Sequence, residues 1–328
     1  MAKVVRTDRE LELPGVDAAL RAAGHEVVLL PENIPEENLF AEVREATLLL
    51  MCYTPVTRRV IEGAKRLKGI VKYGVGIDAI DIDAASERGI PVVNVPEYAE
   101  ETVAEGAFAL MLALAKKLKP IWQAMDGNGW AWPESRWLAS DLAGKTLGVV
   151  GFGRIGSAFA RMAAGFRMRV LAYDPYVKGT VLDLRGMLAE SDFVSIHCVL
   201  KAETRHLIGE AELHAMKPTA FLINVSRGAI VDELALLKAL QQGRLAGAAL
   251  DVYSQEPVSR KDHPLSALYE MENVILSPHL TFYTREAMVR LEADTLERCR
   301  EVLEGRPVTV RSRDPRLRAQ RRGVRFAG

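Results

Sequence analysis

The sequence predicts an α/β protein built from two doubly wound parallel sheets, and three features of the chain support this. Short apolar runs alternate with helical patterns over about the first 98 residues, as in a parallel sheet covered by helices on both faces. A strand, a glycine turn, a helix and a second strand then occupy residues 146–174, and the alternation continues to residue 277. With 328 residues and 49% hydrophobic content, the chain is long enough for two domains, each with its own core.

The composition excludes several classes of function. The chain has 43 basic and 43 acidic residues, so its charge does not indicate nucleic acid or a membrane surface as a partner. Its three cysteines, Cys52, Cys198 and Cys299, are far apart, which is typical of a reducing compartment and not of a disulfide framework or a metal site. No apolar run reaches the roughly 18 to 20 residues that span a bilayer, and the N-terminus lacks the apolar core of a signal peptide. We therefore expect a cytoplasmic protein without a metal site.

The first 98 residues predict a small α/β domain of their own. The apolar patterns predict helices at 16–23, 58–65 and 80–88 and strands at 25–30, 47–51, 69–73 and 90–94. This part of the chain has no glycine fingerprint, so we expect it to serve the substrate and not a second nucleotide.

A long helical pattern at residues 101–119 links this domain to the next. Its apolar positions cover most of the helix surface, which predicts burial between layers or between subunits. The irregular segment 127–141 that follows carries Trp130, Trp132 and Trp137. These rings suit either an interface arm or the filling of a local gap.

The stretch 146–174 predicts a dinucleotide site. Gly151, Gly153 and Gly156 form G-x-G-x-x-G directly after an apolar strand, and a helix follows. The first glycine permits a tight turn, the second lets backbone amides approach a pyrophosphate, and the third lets helix and strand pack closely. Asp174, 21 residues after Gly153, ends the next strand and would bind the ribose hydroxyls.

Later patterns complete a second sheet of about six strands. Further strands are predicted at 193–197, 220–225, 247–251 and 274–277, with helices at 210–216 and 233–241 and a charged helix at 285–304. The final residues, 311–328, contain seven arginines and one aspartate. They predict either a solvated or partner-wrapping terminus, or a contact with phosphate or an acidic partner.

Three polar residues follow the carboxyl ends of predicted strands, where open α/β sheets bind ligands. Arg227 offers a fixed fork of donors for a carboxylate or carbonyl oxygen. His279 can donate and accept a proton near neutral pH, and Glu256 would orient the ring and favour its charged form. Each residue also has a structural alternative: a surface ion pair, a turn cap or a satisfied histidine.

The order and spacing of these motifs resemble the D-isomer-specific 2-hydroxyacid dehydrogenase family. Glu256 lies 29 residues after Arg227 and 23 before His279, and the glycine fingerprint lies upstream. The resemblance extends over nearly the whole chain, through the segments LKGIVKYGVGIDAIDIDAASERGIPVVNVP, TVAEGAFALMLAL, GKTLGVVGFGRIG, HCVLKAETRHLIG, INVSRGAIVDE, GAALDVYSQEP and NVILSPH.

The resemblance implies a discontinuous domain arrangement and an NAD-dependent enzyme. A flavodoxin-like substrate domain would comprise residues 1–98 and 286–328, with an NAD-binding Rossmann domain, 99–285, inserted into it. Hydride would pass between nicotinamide C4 and substrate C2, with Arg227, Glu256 and His279 as the catalytic residues and His279 as acid and base. The chain would form a homodimer through its nucleotide domains.

The resemblance also implies the binding residues. The substrate, a small 2-keto or 2-hydroxy acid, would bind Tyr53, Tyr73, Val75 and Gly76, with its carboxylate on the amides of the last two. Tyr53, Tyr73 and Phe282 would line the substrate cleft and leave room for an apolar or aromatic substituent, or two of the three would instead be core residues. The NAD site would comprise Thr102, Gly151, Gly153, Arg154, Ile155, Gly156, Asp174, His197, Cys198, Val199, Thr204, Val225, Ser226 and Asp251.

Departures from the family pattern narrow the substrate and the coenzyme. Met51 stands where phosphoglycerate-type members carry arginine, Val75 where phosphite-oxidising members carry lysine, and Glu256 where formate dehydrogenases carry glutamine. These differences disfavour all three substrates. Val199 replaces a usual proline, and the chain is about eight residues shorter than many relatives after Asp174, which indicates an open adenine pocket. The charge of Asp174 favours NAD over NADP.

We therefore predict an NAD-dependent reductase of medium-sized 2-keto acids, with glyoxylate and hydroxypyruvate among the candidates. The alternative is an NAD(H)-sensing interaction protein, similar to the co-repressors that share this fold and retain the same three residues.

Overall fold

The computed structural model describes residues 1–181 and 183–327 and divides into two compact units. The first unit comprises Met1–Ala99 and the chain from Thr284 onward, and the second comprises Glu100–Tyr283. The boundaries predicted from sequence, after residues 98 and 285, lie within two residues of these. Gly328, the last residue of the predicted substrate domain, lies outside the described residues.

The first unit is organised around a five-stranded parallel sheet. Its strands are β1 (Lys3–Arg6), β2 (Glu26–Leu29), β3 (Leu48–Met51), β4 (Gly69–Lys72) and β5 (Val92–Asn94), and its first helices are α1 (Pro14–Ala22), α2 (Glu36–Val43), α3 (Arg58–Gly63) and α4 (Ile82–Glu87). The sheet order is β2-β1-β3-β4-β5, and β3 and β4 are buried along their whole length. Apart from Lys72 at the end of β4, both strands are free of polar side chains, as a strand covered on both faces requires. Thr57 and Asp81 cap helices α3 and α4 by accepting hydrogen bonds from backbone amides.

The second unit holds a six-stranded parallel sheet. Its helices are α5 (Glu100–Ala115), α6 (Leu118–Asn128), α7 (Arg154–Gly165), α8 (Leu184–Glu190), α9 (Glu210–Ala215) and α10 (Glu233–Gln241), and its strands are β6 (Thr146–Val150), β7 (Arg169–Tyr173), β8 (Phe193–Ile196), β9 (Phe221–Asn224), β10 (Gly247–Leu250) and β11 (Val274–Leu276). The order is β11-β10-β9-β8-β6-β7. The prediction of a second doubly wound sheet of about six strands is confirmed. Because the chain winds from β6 to β7 and then returns to place β8 on the other side of β6, the winding reverses between β6 and β8, where such sheets bind ligands.

The linking helix is divided in two, which corrects the expectation of one continuous helix over 101–119. Helix α5 ends at Ala115, Lys117 adopts a left-handed φ of 52°, and α6 starts at Leu118. Pro120 explains the break, because a proline ring clashes with the carbonyl four residues earlier and cannot sit inside a continuous helix.

The segment between α6 and β6 carries two exposed tryptophans. Trp130 and Trp132 are 63% and 76% exposed, and their rings meet edge to face at 6.1 Å. Trp137 lies under the guanidinium of Arg136, 4.9 Å from its ring centre. The two exposed rings therefore do not fill a gap within the described part of the chain.

The C-terminal region returns to the first unit and folds. It contains α11 (Arg285–Leu303), β12 (Val308–Val310), α12 (Pro315–Arg318) and β13 (Val324–Phe326), with β12 and β13 paired in parallel. Gln320 is buried, and its side-chain amide accepts from the Val92 N–H at 2.7 Å and donates to the Val92 carbonyl at 2.8 Å. The arginine-rich tail thus covers the open edge of the sheet at β5, a role that the sequence did not predict.

None of the described helices has both the length and the apolar character needed to cross a membrane.

Candidate active site

The glycine turn after β6 has the geometry that a dinucleotide site requires. Gly151 has φ +92°, and a Cβ there would lie 2.4 Å from the backbone nitrogen of Cys198. A Cβ on Gly156 would lie 2.1 Å from the Gly151 carbonyl oxygen, so both positions demand glycine. A Cβ on Gly153 would meet no described atom within 4 Å, and helix α7 starts there without a side-chain cap. Its N-terminal amides therefore suit a pyrophosphate.

Asp174 directly follows β7, beside this turn. One carboxylate oxygen accepts from the Phe152 amide at 2.9 Å and the other from the Tyr176 amide at 2.9 Å. The Thr180 hydroxyl donates to the Asp174 and Val177 carbonyls and closes the short loop that follows. The acid is thus held at the edge of the glycine turn, where the sequence predicted a ribose contact.

The end of β8 faces the glycine turn across the point where the winding reverses. The His197 ring packs against Phe159 of α7, with ring centres 5.0 Å apart, and its Nε2 lies 2.8 Å from the Ser195 hydroxyl. Burial lowers the pKa of His197 to about 3, so the ring is neutral. Burial raises the pKa of the Cys198 thiol to about 12, while Val199 is half exposed. Of these three predicted NAD contacts, His197 and Cys198 are therefore uncharged.

The remaining predicted NAD residues also belong to the second unit. Arg154 and Ile155 form the first turn of α7, and Arg154 pairs with Glu100 at 3.1 Å. The hydroxyl of Thr204 accepts from the Lys201 amide and donates to the Val199 carbonyl. The Ser226 hydroxyl donates to the Cys198 carbonyl. Thr102 and Val225 are buried. Their contacts with NAD stay a prediction.

The three predicted catalytic residues follow three adjacent strands. Arg227 follows β9, Glu256 follows β10 and His279 follows β11. The His279 Nδ1 lies 3.0 Å from Glu256 Oε2, and Glu256 Oε1 accepts from the Tyr253 amide at 2.9 Å. Burial acts to raise the pKa of Glu256, but the hydrogen bond and charge of His279, the Tyr253 amide and the charge of Arg227 together hold it below its usual value. An ionised carboxylate therefore orients the imidazole.

The backbone of His279 is left-handed, with φ +57°. The buried carboxylate of Asp251 holds the residues that follow, accepting from the amides of Leu280 and Thr281 at 3.0 and 3.1 Å and from the Thr281 hydroxyl at 2.6 Å. A non-glycine residue keeps such a conformation only where its surroundings impose it. Asp251 thus helps to fix His279, and its predicted contact with the nicotinamide carboxamide stays a prediction.

In the first unit, a turn after β4 presents two amides for an anion. The carbonyl of Gly74 accepts from the Val95 amide at 3.1 Å, and the carbonyl of Val75 accepts from the Asn94 side chain at 2.6 Å. Because a trans peptide places N–H opposite C=O, the amides of Val75 and Gly76 point away from these two donors. Within the described residues neither amide has an acceptor. The sequence did not single out Asn94, although a polar residue ending an apolar strand is the signal that identified the catalytic residues.

The point in the first unit where the winding reverses, between β1 and β3, already holds a carboxylate. Asp8 is 2% exposed and accepts from the amides of Cys52, Tyr53 and Thr54 and from the Thr54 hydroxyl. A substrate anion at that point would meet this negative charge, which leaves the 75–76 turn as the better place for it.

The side chains predicted to line the substrate cleft differ in their exposure to solvent. Tyr73 is completely buried, and its hydroxyl donates to the Thr7 carbonyl, so its side chain takes the core position that was the alternative to a substrate contact. The Tyr53 side chain is 39% exposed. Phe282 is 7% exposed and meets the His279 ring edge to face at 6.4 Å. Met51 is fully buried within β3.

Comparison with known proteins places this geometry in a family. The family model described as D-isomer specific 2-hydroxyacid dehydrogenase, NAD binding domain, matches residues 108–281. The chain is 41% identical to a glyoxylate reductase of Thermococcus litoralis over 81% of this chain and 84% of that one. It is 38% identical to a D-3-phosphoglycerate dehydrogenase of a Synechocystis species over 94% of this chain and 55% of that one.

A solved structure agrees with these sequence matches. D-lactate dehydrogenase from Aquifex aeolicus, complexed with NAD and lactic acid, superimposes with a TM-score of 0.83 at 32% identity, covering 92% of this chain and 96% of that one. None of these relatives supports the co-repressor alternative. The protein therefore belongs to the D-isomer specific 2-hydroxyacid dehydrogenases and is an NAD-dependent oxidoreductase.

Proposed function

We propose that the protein reduces a small, unphosphorylated 2-keto acid, and that in the reverse direction it oxidises the D-2-hydroxy acid. The observation that carries the proposal is the 3.0 Å contact between His279 Nδ1 and the ionised Glu256, on strands next to the one that presents Arg227. When bound, the NAD coenzyme supplies or accepts the hydride.

The residues of the chain then have separate roles. With Nδ1 held by Glu256, His279 exchanges the proton of the substrate oxygen through Nε2. Arg227 stabilises the negative charge that develops on that oxygen. In the first unit, the amides of Val75 and Gly76 bind the substrate carboxylate.

The assignment of an unphosphorylated substrate rests on the identity of residue 51 in the first unit. The family's phosphoglycerate-type members carry arginine at the position of Met51, and here that side chain is apolar and fully buried. Glyoxylate and hydroxypyruvate need no phosphate partner, and the similarity to a glyoxylate reductase supports them. The match to a phosphoglycerate dehydrogenase spans only 55% of that longer protein.

The test is NADH oxidation against a panel of 2-keto acids. Glyoxylate, hydroxypyruvate, pyruvate and a branched-chain keto acid should be reduced with a higher kcat/KM than phosphohydroxypyruvate. Equal or faster turnover of the phosphorylated acid would contradict the substrate assignment. His279→Ala should lower kcat by on the order of 100-fold while the Kd of NADH changes little.

We also propose that the protein is a cytoplasmic homodimer. A shallow apolar groove of about 470 Å³ between α5 and α7 supports self-association; it is lined in part by Phe108, Leu112, Met162 and Phe166. The exposed rings of Trp130 and Trp132 support it as well. Analytical ultracentrifugation should give a dimer, and a monomer at every concentration would contradict the proposal.

A further inference from the structure

Tyr253 lies among the three strand ends that carry the catalytic residues. Its side chain is 9% exposed, and its hydroxyl oxygen lies 3.0 Å from the Leu250 carbonyl and 3.1 Å from the Ser277 carbonyl. Leu250 ends β10, and Ser277 directly follows β11. One side chain therefore joins the ends of two neighbouring strands.

The Tyr253 hydroxyl has one proton, and it donates this proton to the Ser277 carbonyl rather than to the Leu250 carbonyl. The Leu250 carbonyl already accepts from the Ser277 amide at 2.9 Å. Among the described residues, the Ser277 carbonyl has no donor other than Tyr253. Burial raises the pKa of Tyr253, and the charge of Asp251 raises it further, so the hydroxyl stays protonated and can donate.

Ser277 lies two residues before His279, and the chain between them is held at both ends. On the upstream side Ser277 is fixed to β10 through its amide and to Tyr253 through its carbonyl. On the downstream side the Leu280 amide is fixed by Asp251. The left-handed backbone of His279 lies between these two attachments.

The backbone of Tyr253 contacts the other two catalytic residues. Its amide donates to Glu256, the partner of His279. A Cβ on Gly228, which directly follows Arg227, would lie 2.1 Å from the carbonyl carbon of Tyr253, so the arginine loop packs closely against this residue. The contact with the chain just before His279, in contrast, is made by the side-chain hydroxyl of Tyr253.

We propose that the Tyr253 hydroxyl is a positioning residue for proton transfer, because it holds the Ser277 carbonyl and so imposes the left-handed backbone that aims His279. Since imposed backbone conformations relax when a restraint is lost, the imidazole moves away from its productive position without the hydroxyl. Displacement of a catalytic group by a fraction of an ångström lowers the rate of the chemical step more than it lowers substrate affinity. The inference rests on the proposed function only in taking His279 as the group that transfers the proton.

The experiment compares Tyr253→Phe with Tyr269→Phe. Tyr269 is a matched control because its hydroxyl also donates to a backbone carbonyl, that of Val258 at 3.2 Å, in the same unit. In Tyr253→Phe, kcat for keto-acid reduction should fall about tenfold, with KM and the Kd of NADH within twofold of wild type. The solvent deuterium isotope effect on kcat should increase, because a misplaced proton donor slows the proton-transfer step. Tyr269→Phe should change none of these quantities.

Hydrogen exchange measured by mass spectrometry gives a readout that needs no turnover. Peptides covering residues 277–283 should exchange faster in Tyr253→Phe and at the wild-type rate in Tyr269→Phe. Wild-type exchange of these peptides in Tyr253→Phe would overturn the inference, and so would an unchanged kcat and isotope effect in an enzyme that reduces keto acids. A wild-type protein that reduces no keto acid would instead contradict the proposed function, and the exchange data would still decide the role of Tyr253.

Discussion

Replacing Glu256 by Gln removes the negative charge beside His279 and keeps the size of the side chain. Glu256 Oε2 and His279 Nδ1 lie 3.0 Å apart, and the two side chains are 32% and 24% exposed. At this distance an effective dielectric constant between that of a protein surface, about 20, and that of water, about 80, gives an attraction of roughly 1.4 to 5.5 kcal/mol between opposite unit charges. Because part of each group is in water, we take about 1.4 kcal/mol as the attraction between the carboxylate and an imidazole that carries the substrate proton, which is a factor of ten in rate.

The assay is kcat/KM for oxidation of the 2-hydroxy acid at one fixed pH. In that direction the imidazole takes up the proton of the substrate hydroxyl, and Glu256 stabilises the positive charge that develops on the ring. In Glu256→Gln, kcat/KM should therefore fall about tenfold. Damage to the fold alone would also lower Tm, so Tm is measured alongside. A fall in kcat/KM of less than about twofold in a variant with wild-type Tm would refute the assignment of this pair.

Four further predictions concern the coenzyme, the substrate and stability. Asp174→Ala should lower the preference for NADH over NADPH, because it removes a charge that repels a 2′-phosphate. Asn94→Asp should raise KM for the keto acid about tenfold and leave kcat nearly unchanged, because it removes the donor that fixes the amides of the carboxylate turn. Gln320→Ala should lower the free energy of unfolding by about 2 kcal/mol, and Tm by about 5 °C, because both polar groups of Val92 lose a buried partner. Glu301→Gln should weaken the loss of stability in acid.

The sign of the last prediction follows from the surroundings of Glu301. Burial acts to raise its pKa, but hydrogen bonds from Thr309, the charge of Arg298 and a hydrogen bond from Arg325 lower it overall. A carboxyl whose pKa is lower in the folded state stabilises the protein above its unfolded pKa and loses this effect as pH falls through the folded value. The free energy of unfolding should therefore fall below about pH 4.5 in the wild type and less steeply in Glu301→Gln.

Each of these four variants has a result that would contradict it. An unchanged ratio of NADH to NADPH kcat/KM would contradict the role of Asp174, and a fall in kcat at constant KM would contradict that of Asn94. The control for Gln320→Ala is Arg321→Ala, which changes an exposed residue of the same tail. Equal Tm values for the two variants would contradict the role of Gln320 in covering the edge of the sheet. Parallel acid profiles of wild type and Glu301→Gln would show that other groups dominate acid unfolding.

Periodicity and motif spacing were sufficient to predict the second unit. Its strands are mostly apolar runs between clear turn signals, and polar residues follow several of them. The approach of Glu256 to His279 could be anticipated from parallel topology, because the carboxyl ends of adjacent parallel strands lie at one edge of the sheet. The first unit was harder, since β1 contributes only two apolar residues between charged ones and α2 follows two prolines.

Other features depend on contacts that no local pattern encodes. The burial of Tyr73 follows from its partner Thr7, 66 residues earlier in the chain. The role of Gln320 depends on Val92, 228 residues away. The restraint of Ser277 by Tyr253 depends on how two neighbouring strands end. These pairs share no spacing, so only the folded chain brings them together.

The discontinuous first unit has a consequence for synthesis on the ribosome. All five strands of its sheet have been made by Asn94, but α11, whose Val302 packs directly on Gly69 of β4, comes about 200 residues later. At 5 to 20 residues per second, this face of the sheet waits roughly 10 to 40 s for its helix, and the β5 edge waits slightly longer for Gln320. Uncovered apolar strands and an open edge invite aggregation. The second unit is complete by Tyr283 and can fold first, so we expect the nascent chain to need chaperone protection mainly at its N-terminal unit.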